Sequence, residues 1–302
     1  MTGLSIETRA KLACLLSGVV WGVFWVPLRA LEDVGVHGIW GTVVFFAIPE
    51  LGFLPVIFWR RDRIRSGGAG LQATAFLSAA SLTVYAIAIM YTDVVRAMLL
   101  FYLTPLWSAL LARIVLGEPI TPVRMLAMAI AIVGLLTIFG LGATFPVPQN
   151  VGDWLGFSSG LLWAITAVRL RGDRTNHSLD ITACYFVWSV LIALTAALLV
   201  APEALPRVSQ YGPLLPWLVP MMVFVVMPGA YAAAWGPKYL NPGLVGILFM
   251  TEISVGATTA AIWSGDPFGW REFAGIILIA GAALLESMYD LYAARRNSVT
   301  SL

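Results

Sequence analysis

The sequence predicts an all-α membrane protein: ten transmembrane helices arranged as two inverted five-helix repeats around a central cavity. Three observations predict it. Of 302 residues, 60% are hydrophobic and only 11% charged, and the mean hydropathy is +0.87, outside the range of soluble domains. The apolar runs are each roughly 20 residues, the length that crosses a hydrocarbon core of about 30 Å. Finally, the second five runs echo the first five.

The runs fall near 11–29, 38–59, 69–90, 94–116, 121–140, 152–170, 180–201, 213–235, 241–263 and 268–291. The first carries Trp21 and Trp25 and has no small-residue cleavage site behind it, so it reads as a retained span rather than a signal peptide. Prolines interrupt the second (Pro49, Pro55), the fourth (Pro105) and the eighth (Pro216, Pro220, Pro228). Each removes a backbone donor and crowds the carbonyl four residues back, which predicts bends. Connections are short, so no span is followed by a soluble domain. Cys14 and Cys184 lie inside apolar runs and read as packing residues.

The echo is specific. Ser17-Gly18-Val-Val-Trp21 returns as Ser159-Gly160-Leu-Leu-Trp163, Tyr85-Ala86 as Tyr231-Ala232, and Phe101-Tyr102-Leu-Thr104 as Leu248-Phe249-Met-Thr251. Gly117-Glu118-Pro119 returns as Gly265-Asp266-Pro267. The order is kept throughout, which points to an internal duplication with units 1–147 and 148–302. Five spans per unit invert the second relative to the first, the arrangement of alternating-access transporters.

Orientation follows from the 18 Lys and Arg. Arg9, Lys11, Arg60, Arg61, Arg63, Arg65, Arg113, Arg124, Arg169, Arg171, Arg174, Lys238, Arg295 and Arg296 fall on one side of the threading. Arg29, Arg96, Arg207 and Arg271 fall on the other. The positive-inside rule places both termini in the cytoplasm. The Arg60–Arg65 cluster reads as a topology anchor in contact with lipid headgroups.

Polar faces mark the interior of a bundle. Thr74, Ser78, Ser81 and Tyr85 share one face of the third run, and Phe224, Pro228, Tyr231 and Trp235 repeat that spacing in the eighth. Trp21, Trp163, Tyr85, Tyr102 and Tyr231 lie too deep for an interfacial belt, unlike Trp40, Trp59, Trp154, Trp217 and Trp270 near run ends. Converging, the deep set walls a cavity with rings and hydroxyls. Two acids lie within runs. Glu252 is read either as a proton or ammonium site or as a structural acid, and Glu50 is the weaker candidate of the two. Asp93 and Arg96 read as an interfacial pair or cap, and Glu118 and Asp266 as turn residues.

No His-Glu-x-x-His, Gly-x-Ser-x-Gly or P-loop pattern occurs, so no zinc protease, serine esterase or ATPase is expected. Neither cofactor nor metal nor nucleic acid is implied. The partners are a small-molecule substrate and the bilayer, and a monomer would suffice.

The paired repeats, Ser17-Gly-x-x-Trp21-Gly22, Thr104-Pro105 with Gly117-Glu118, and Gly134 resemble the ten-helix EamA-type members of the drug/metabolite transporter superfamily across nearly the whole chain. In the second unit Glu252 stands where that pattern has proline. Phe101-Tyr102-Leu-Thr-Pro105 and the aromatic richness look like the YddG-type exporters of aromatic amino acids. The resemblance implies a basket-shaped bundle exporting aromatic and other large neutral amino acids across the bacterial inner membrane. It carries substrate contact to Tyr85, Tyr102, Thr104, Pro105 and Trp163, beside Trp21, Ser78, Ser81, Tyr231 and Glu252 from the polar faces. The alternatives are a multidrug or other small-metabolite exporter of the same fold and, more remotely, a membrane-embedded enzyme.

Overall fold

The computed structural model describes residues 4–92, 94–139, 147–264 and 268–300. Among these every regular element is helical. The helices are α1 (Ile6–Gly22), α2 (Trp25–Asp33), α3 (Gly38–Trp59), α4 (Arg61–Tyr91), α5 (Val94–Phe101), α6 (Thr104–Leu116), α7 (Pro122–Phe139), α8 (Val151–Gly172) and α9 (Ser178–Val200). They continue as α10 (Val208–Tyr211), α11 (Leu215–Met221), α12 (Met227–Trp235), α13 (Pro242–Phe249), α14 (Thr251–Ser264) and α15 (Trp270–Thr300). Eight helical stretches are long and apolar enough to cross a membrane, and α7 is a shorter apolar helix beside them.

Where the apolar runs break, the chemistry is local. The first run divides between α1 and α2, and Pro27 accounts for it: its ring crowds the carbonyl of Val23, the residue at the break. The fourth divides between α5 and α6 by the same logic. Pro105 sits four residues after Phe101, and the freed Phe101 carbonyl accepts the Thr104 hydroxyl at 2.5 Å. The ninth run breaks at Met250 with no proline in the turn that follows. There the Leu248 carbonyl accepts the Thr251 hydroxyl, so the threonine is the shared part of both breaks. The eighth run passes through a π-helical turn at Met222–Val226, and Phe224, four residues before Pro228, lies inside it. Pro49 and Pro55, expected to bend the second run, are accommodated within an uninterrupted α3. The third run starts where expected, after a break at Gly68, whose φ of 53° lies in the left-handed region that glycine tolerates; the residues from Arg61 to that break form a separate helical stretch in front of it.

Packing joins the first part of the chain to the second. α4 lies along α8, α7 along α15, α3 along α9, α1 against α12 and α14, and α5 and α6 against α8. Glycines set the closest crossings, as in membrane helices generally. A Cβ on Gly134 would stand 2.8 Å from the Gly275 carbonyl oxygen, and one on Gly275 would stand 2.5 Å from that of Gly134. Gly160 lies against the Phe101 carbonyl at the α5 end, and Gly18 against the Thr251 hydroxyl at the start of α14. The two glycines of the repeated Ser-Gly-x-x-Trp motif thus each rest on a helix break of the other half.

Candidate functional site

A cavity of about 880 Å³, counting its mouth, opens among α1, α4, the α5–α6 break, α8, α9, α12 and the α13–α14 break. Trp21, Ser78, Ser81, Tyr85, Tyr102, Thr104, Trp163 and Glu252 all line it, so eight of the ten residues singled out in the sequence meet in one space. The wall is mainly apolar and aromatic, as the walls of small-molecule sites are.

The rings form two contacting groups. Tyr85 packs on Phe101 with centroids 5.0 Å apart, and Phe101 on Tyr102 at 5.0 Å. Trp163 packs on Phe249 at 5.6 Å. Glu252, in the first turn of α14, is half-buried at the cavity wall. Tyr85 and Tyr102 lie within electrostatic reach of its carboxyl group, while the Tyr102 hydroxyl meets no partner with regular hydrogen-bond geometry.

Two expected residues fall elsewhere. Pro105 is buried behind the wall, against Gly246, where a Cβ would stand 2.8 Å from the proline Cα. Tyr231 is not among the lining residues; Ala230, Ala233 and Ala234 of the same helix are. The stripe Phe224–Pro228–Tyr231–Trp235 assumed one continuous α-helix, but the π-helical turn adds residues to the winding and turns α12 relative to α11. Phe224 accordingly points outward, 75% exposed. Glu50 lies on α3 apart from the lining residues.

Several wall residues went unnoticed in the sequence, among them Phe101, Thr182, Tyr185 and Phe249. Phe249 was within reach, because the repeat aligns it with Tyr102. Thr182 and Tyr185 were within reach too, because with Ser178 and Ser189 they repeat the spacing of Thr74, Ser78, Ser81 and Tyr85 on one face of α9.

Polar clusters lie above and below the cavity. At one end Asp153, fully buried, accepts from the Arg96 guanidinium, from the Thr92 hydroxyl at 2.6 Å and from the Gln149 N–H at 2.9 Å. Arg96 thus pairs across to α8; its expected neighbour Asp93 lies outside the described residues, as does Asp266. At the other end Arg60 grips Asp180. Arg171 pairs with Glu118 at 2.7 Å, Asn241 donates to the same carboxylate, and the Lys238 ammonium donates to the Asn176 carbonyl. Arg124 and Glu286 form a buried pair between α7 and α15. Glu118, read as a turn residue, is therefore a tie between distant segments, presented by Gly117 in the left-handed conformation that ends α6. Asp173, in the turn after α8, loses hydration, which disfavours its charge. Hydrogen bonds from the Asn176 N–H and side-chain amide and from the Thr175 N–H outweigh that loss and hold it below the usual carboxylate range. Along α8, Trp163 lies ten residues from Asp153 and eight from Arg171, about 15 and 12 Å at 1.5 Å per residue. The cavity is thus bracketed by the two clusters.

Of the tryptophans expected at the interface, Trp59 and Trp270 are 84% and 82% exposed. Trp40 is instead buried, its indole donating to the Ala201 carbonyl at 2.8 Å.

Helices long and apolar enough to cross a membrane surround an aromatic cavity, the architecture of a multi-pass membrane protein. Residues 8–140 match the model of the EamA-like transporter family. Over 281 residues the chain is 27% identical to an uncharacterized transporter of Archaeoglobus fulgidus, an alignment that covers 90% of this chain and 94% of that protein. A protein crystal structure with 16% sequence identity matches the fold with a TM-score of 0.75, over 93% of this chain and 97% of the other.

Proposed function

We propose that the protein is a secondary transporter working by alternating access, built from inverted repeats 1–147 and 148–302, with both termini in the cytoplasm. It exports aromatic and other large neutral amino acids, and aromatic compounds related to them, across the bacterial inner membrane. The observation that carries this reading is the placement of an aromatic cavity between two helix breaks. Each break has a threonine on its freed carbonyl and, opposite it, a glycine from the other half. Broken helices at a repeat interface are where such transporters hold substrate and bend. In this mechanism the Arg96–Asp153 cluster and the Arg60–Asp180 and Arg171–Glu118 ties close opposite ends of the cavity in alternation. Among the described residues no Lys or Arg lines the cavity, which disfavours phosphate esters as cargo.

Uptake of labelled aromatic amino acids and amines into proteoliposomes tests the reading. Tyr102→Ala and Trp163→Ala should each weaken apparent affinity by about fivefold, the equivalent of ~1 kcal/mol per ring contact. Trp59→Ala and Trp270→Ala, on exposed surface, should transport as wild type. Equal losses in both pairs, or none in the first, would remove the cavity from the mechanism.

A further inference from the structure

The polar groups of the cavity are one-sided. Among the described lining residues Glu252 is the single acid, with no Lys, Arg or His beside it, so the one formal charge the wall can carry near neutral pH is negative. The aliphatic hydroxyls add to that sign through their hydrogen bonds. Ser78 donates to the Thr74 carbonyl at 2.9 Å, and Ser81 to the Ser159 carbonyl at 2.8 Å. Thr104 donates to the Phe101 carbonyl at 2.5 Å, and Thr182 to the Ser178 carbonyl at 2.8 Å. A hydroxyl has one proton and two lone pairs. With each proton directed at the backbone, what these four groups turn toward the space is acceptor. The other donors on the wall belong to neutral indole and phenol groups. The nearest cation on α8, Arg169, is not among the lining residues and donates to the Thr74 hydroxyl at 3.0 Å and the Gly70 carbonyl at 2.8 Å, while Arg96 and Arg171 are paired with Asp153 and Glu118 in the bracketing clusters.

A zwitterionic amino acid brings a carboxylate that must shed water on entering. The cavity answers its ammonium with Glu252 and with aromatic faces, but offers its carboxylate no cation. Helix breaks often supply backbone N–H groups for an anion. Here Glu252 occupies the first turn of α14, so the dipole end available to a substrate anion is already taken by a side-chain carboxylate. At the other break the second residue of α6 is Pro105, which has no N–H.

We propose that the cavity is a site for aromatic monocations, arylalkyl amines and aryl quaternary ammonium compounds, which it binds in preference to the zwitterionic amino acids carrying the same ring. Glu252 faces the ammonium group, and Tyr85 and Tyr102 flank it with ring faces and hydroxyls. The proposal rests on the reading of this cavity as the transport site. Within the aromatic amino acids and related compounds of that reading, it selects the carboxylate-free amines as the preferred class.

A matched ligand series separates the two ideas. Tryptamine, tryptophan and indole-3-propionate carry one ring system with a net positive, zero and negative charge. Each would be radiolabelled and its binding to the purified full-length protein in detergent measured at neutral pH by scintillation proximity. The expected order is tryptamine, then tryptophan, then indole-3-propionate, with roughly tenfold or more between the first two. That margin is what a charge-assisted hydrogen bond gives when no unpaired carboxylate offsets it. Glu252→Gln should bring tryptamine and tryptophan to within about threefold of each other, whereas Glu252→Asp should keep the order. Tryptophan binding as tightly as tryptamine in the wild type overturns the proposal while leaving the cavity as the transport site. So does a preference that survives Glu252→Gln. If none of the three indoles binds, the reading of the cavity itself falls, and this inference with it. Should the Gln variant fail to purify as a monodisperse protein, the wild-type order alone decides the matter.

Discussion

Replacing Gly160 with alanine should damage both stability and binding, and the structure sets the scale. The new Cβ would stand 2.5 Å from the Phe101 carbonyl oxygen and 3.1 Å from Phe101 C and Cα, all of them backbone atoms that cannot rotate away. Reaching an ordinary contact of about 3.5 Å requires α8 and the end of α5 to part by roughly 1 Å. That separation also stretches the 3.2 Å bond from the Thr104 hydroxyl to the Gly160 carbonyl past its useful range. Overpacking costs about 1–3 kcal/mol and a lost hydrogen bond about 0.5–1.5 kcal/mol; the sum is on the order of 3 kcal/mol. Gly281 is the control, since a Cβ there meets open space and should change stability by less than about 0.5 kcal/mol. Apparent unfolding free energy from a denaturant titration in micelles, followed by circular dichroism, reads both variants. The same preparations would be tested for labelled tryptamine binding, because the shift moves Trp163 and Tyr102 apart. Gly18→Ala would place a Cβ in collision with Thr251 Oγ1, so the threonine must change rotamer and give up its bond to the Leu248 carbonyl, a side-chain rather than a backbone shift. It should cost less stability than Gly160→Ala and disturb amine binding at least as much. If Gly160→Ala is as stable as Gly281→Ala and binds like wild type, the glycine contacts do not hold the breaks in place.

Asp153→Ala would leave Arg96 without its buried carboxylate and should lower stability by roughly 3 kcal/mol, the lower end for a broken buried pair because Arg96 is partly exposed. The same titration checks it, and a loss below about 1 kcal/mol would mean the cluster contributes little. For topology, single cysteines at Ser66 and Gln149, in a background with Cys14 and Cys184 replaced, should label from opposite faces of right-side-out vesicles, Gln149 from outside. Labelling of both from one side would overturn the orientation drawn from the cations.

Much of this fold was legible because the membrane imposes length and apolarity on each span. The run at 38–59 is α3 to the residue, and 121–140 and 152–170 match α7 and α8 closely. The cavity was legible for a different reason: a tyrosine or tryptophan far from a run end has little use for the interface, and Trp21, Tyr85, Tyr102 and Trp163 were found on that ground. What failed has a common cause, reliance on unbroken α-helical winding. The π-helical turn at Met222–Val226 turned Tyr231 off the wall, and nothing in a run of Met, Val and Phe announces such a turn. Pairings between distant segments were also invisible. Asp153 and Arg96 are 57 residues apart, Arg60 and Asp180 are 120 apart, and periodicity carries no information at those separations.

On the proposed repeat, what the halves share and what they do not share divide the work between motion and recognition. The shared residues are mechanical. Gly18 and Gly160 admit close crossings, and Thr104 and Thr251 satisfy the carbonyl freed at each break. A duplicated part of this kind permits the two halves to exchange conformations, because each break sees the same surroundings in turn. The chemistry sits where the halves differ. Position 105 is proline behind the wall, and its counterpart at 252 is a glutamate on the wall. Tyr85 is on the wall and its counterpart Tyr231 is not. A symmetric cavity would offer a substrate two equal ends; one carboxylate gives it a single polar end and so a single binding orientation. The break in the ninth run has no proline at the position of Pro105, and the Leu248 carbonyl still accepts the Thr251 hydroxyl. That leaves the next position free for an acid, and the residue by which the sequence departs from the family pattern is the one that gives this cavity its charge.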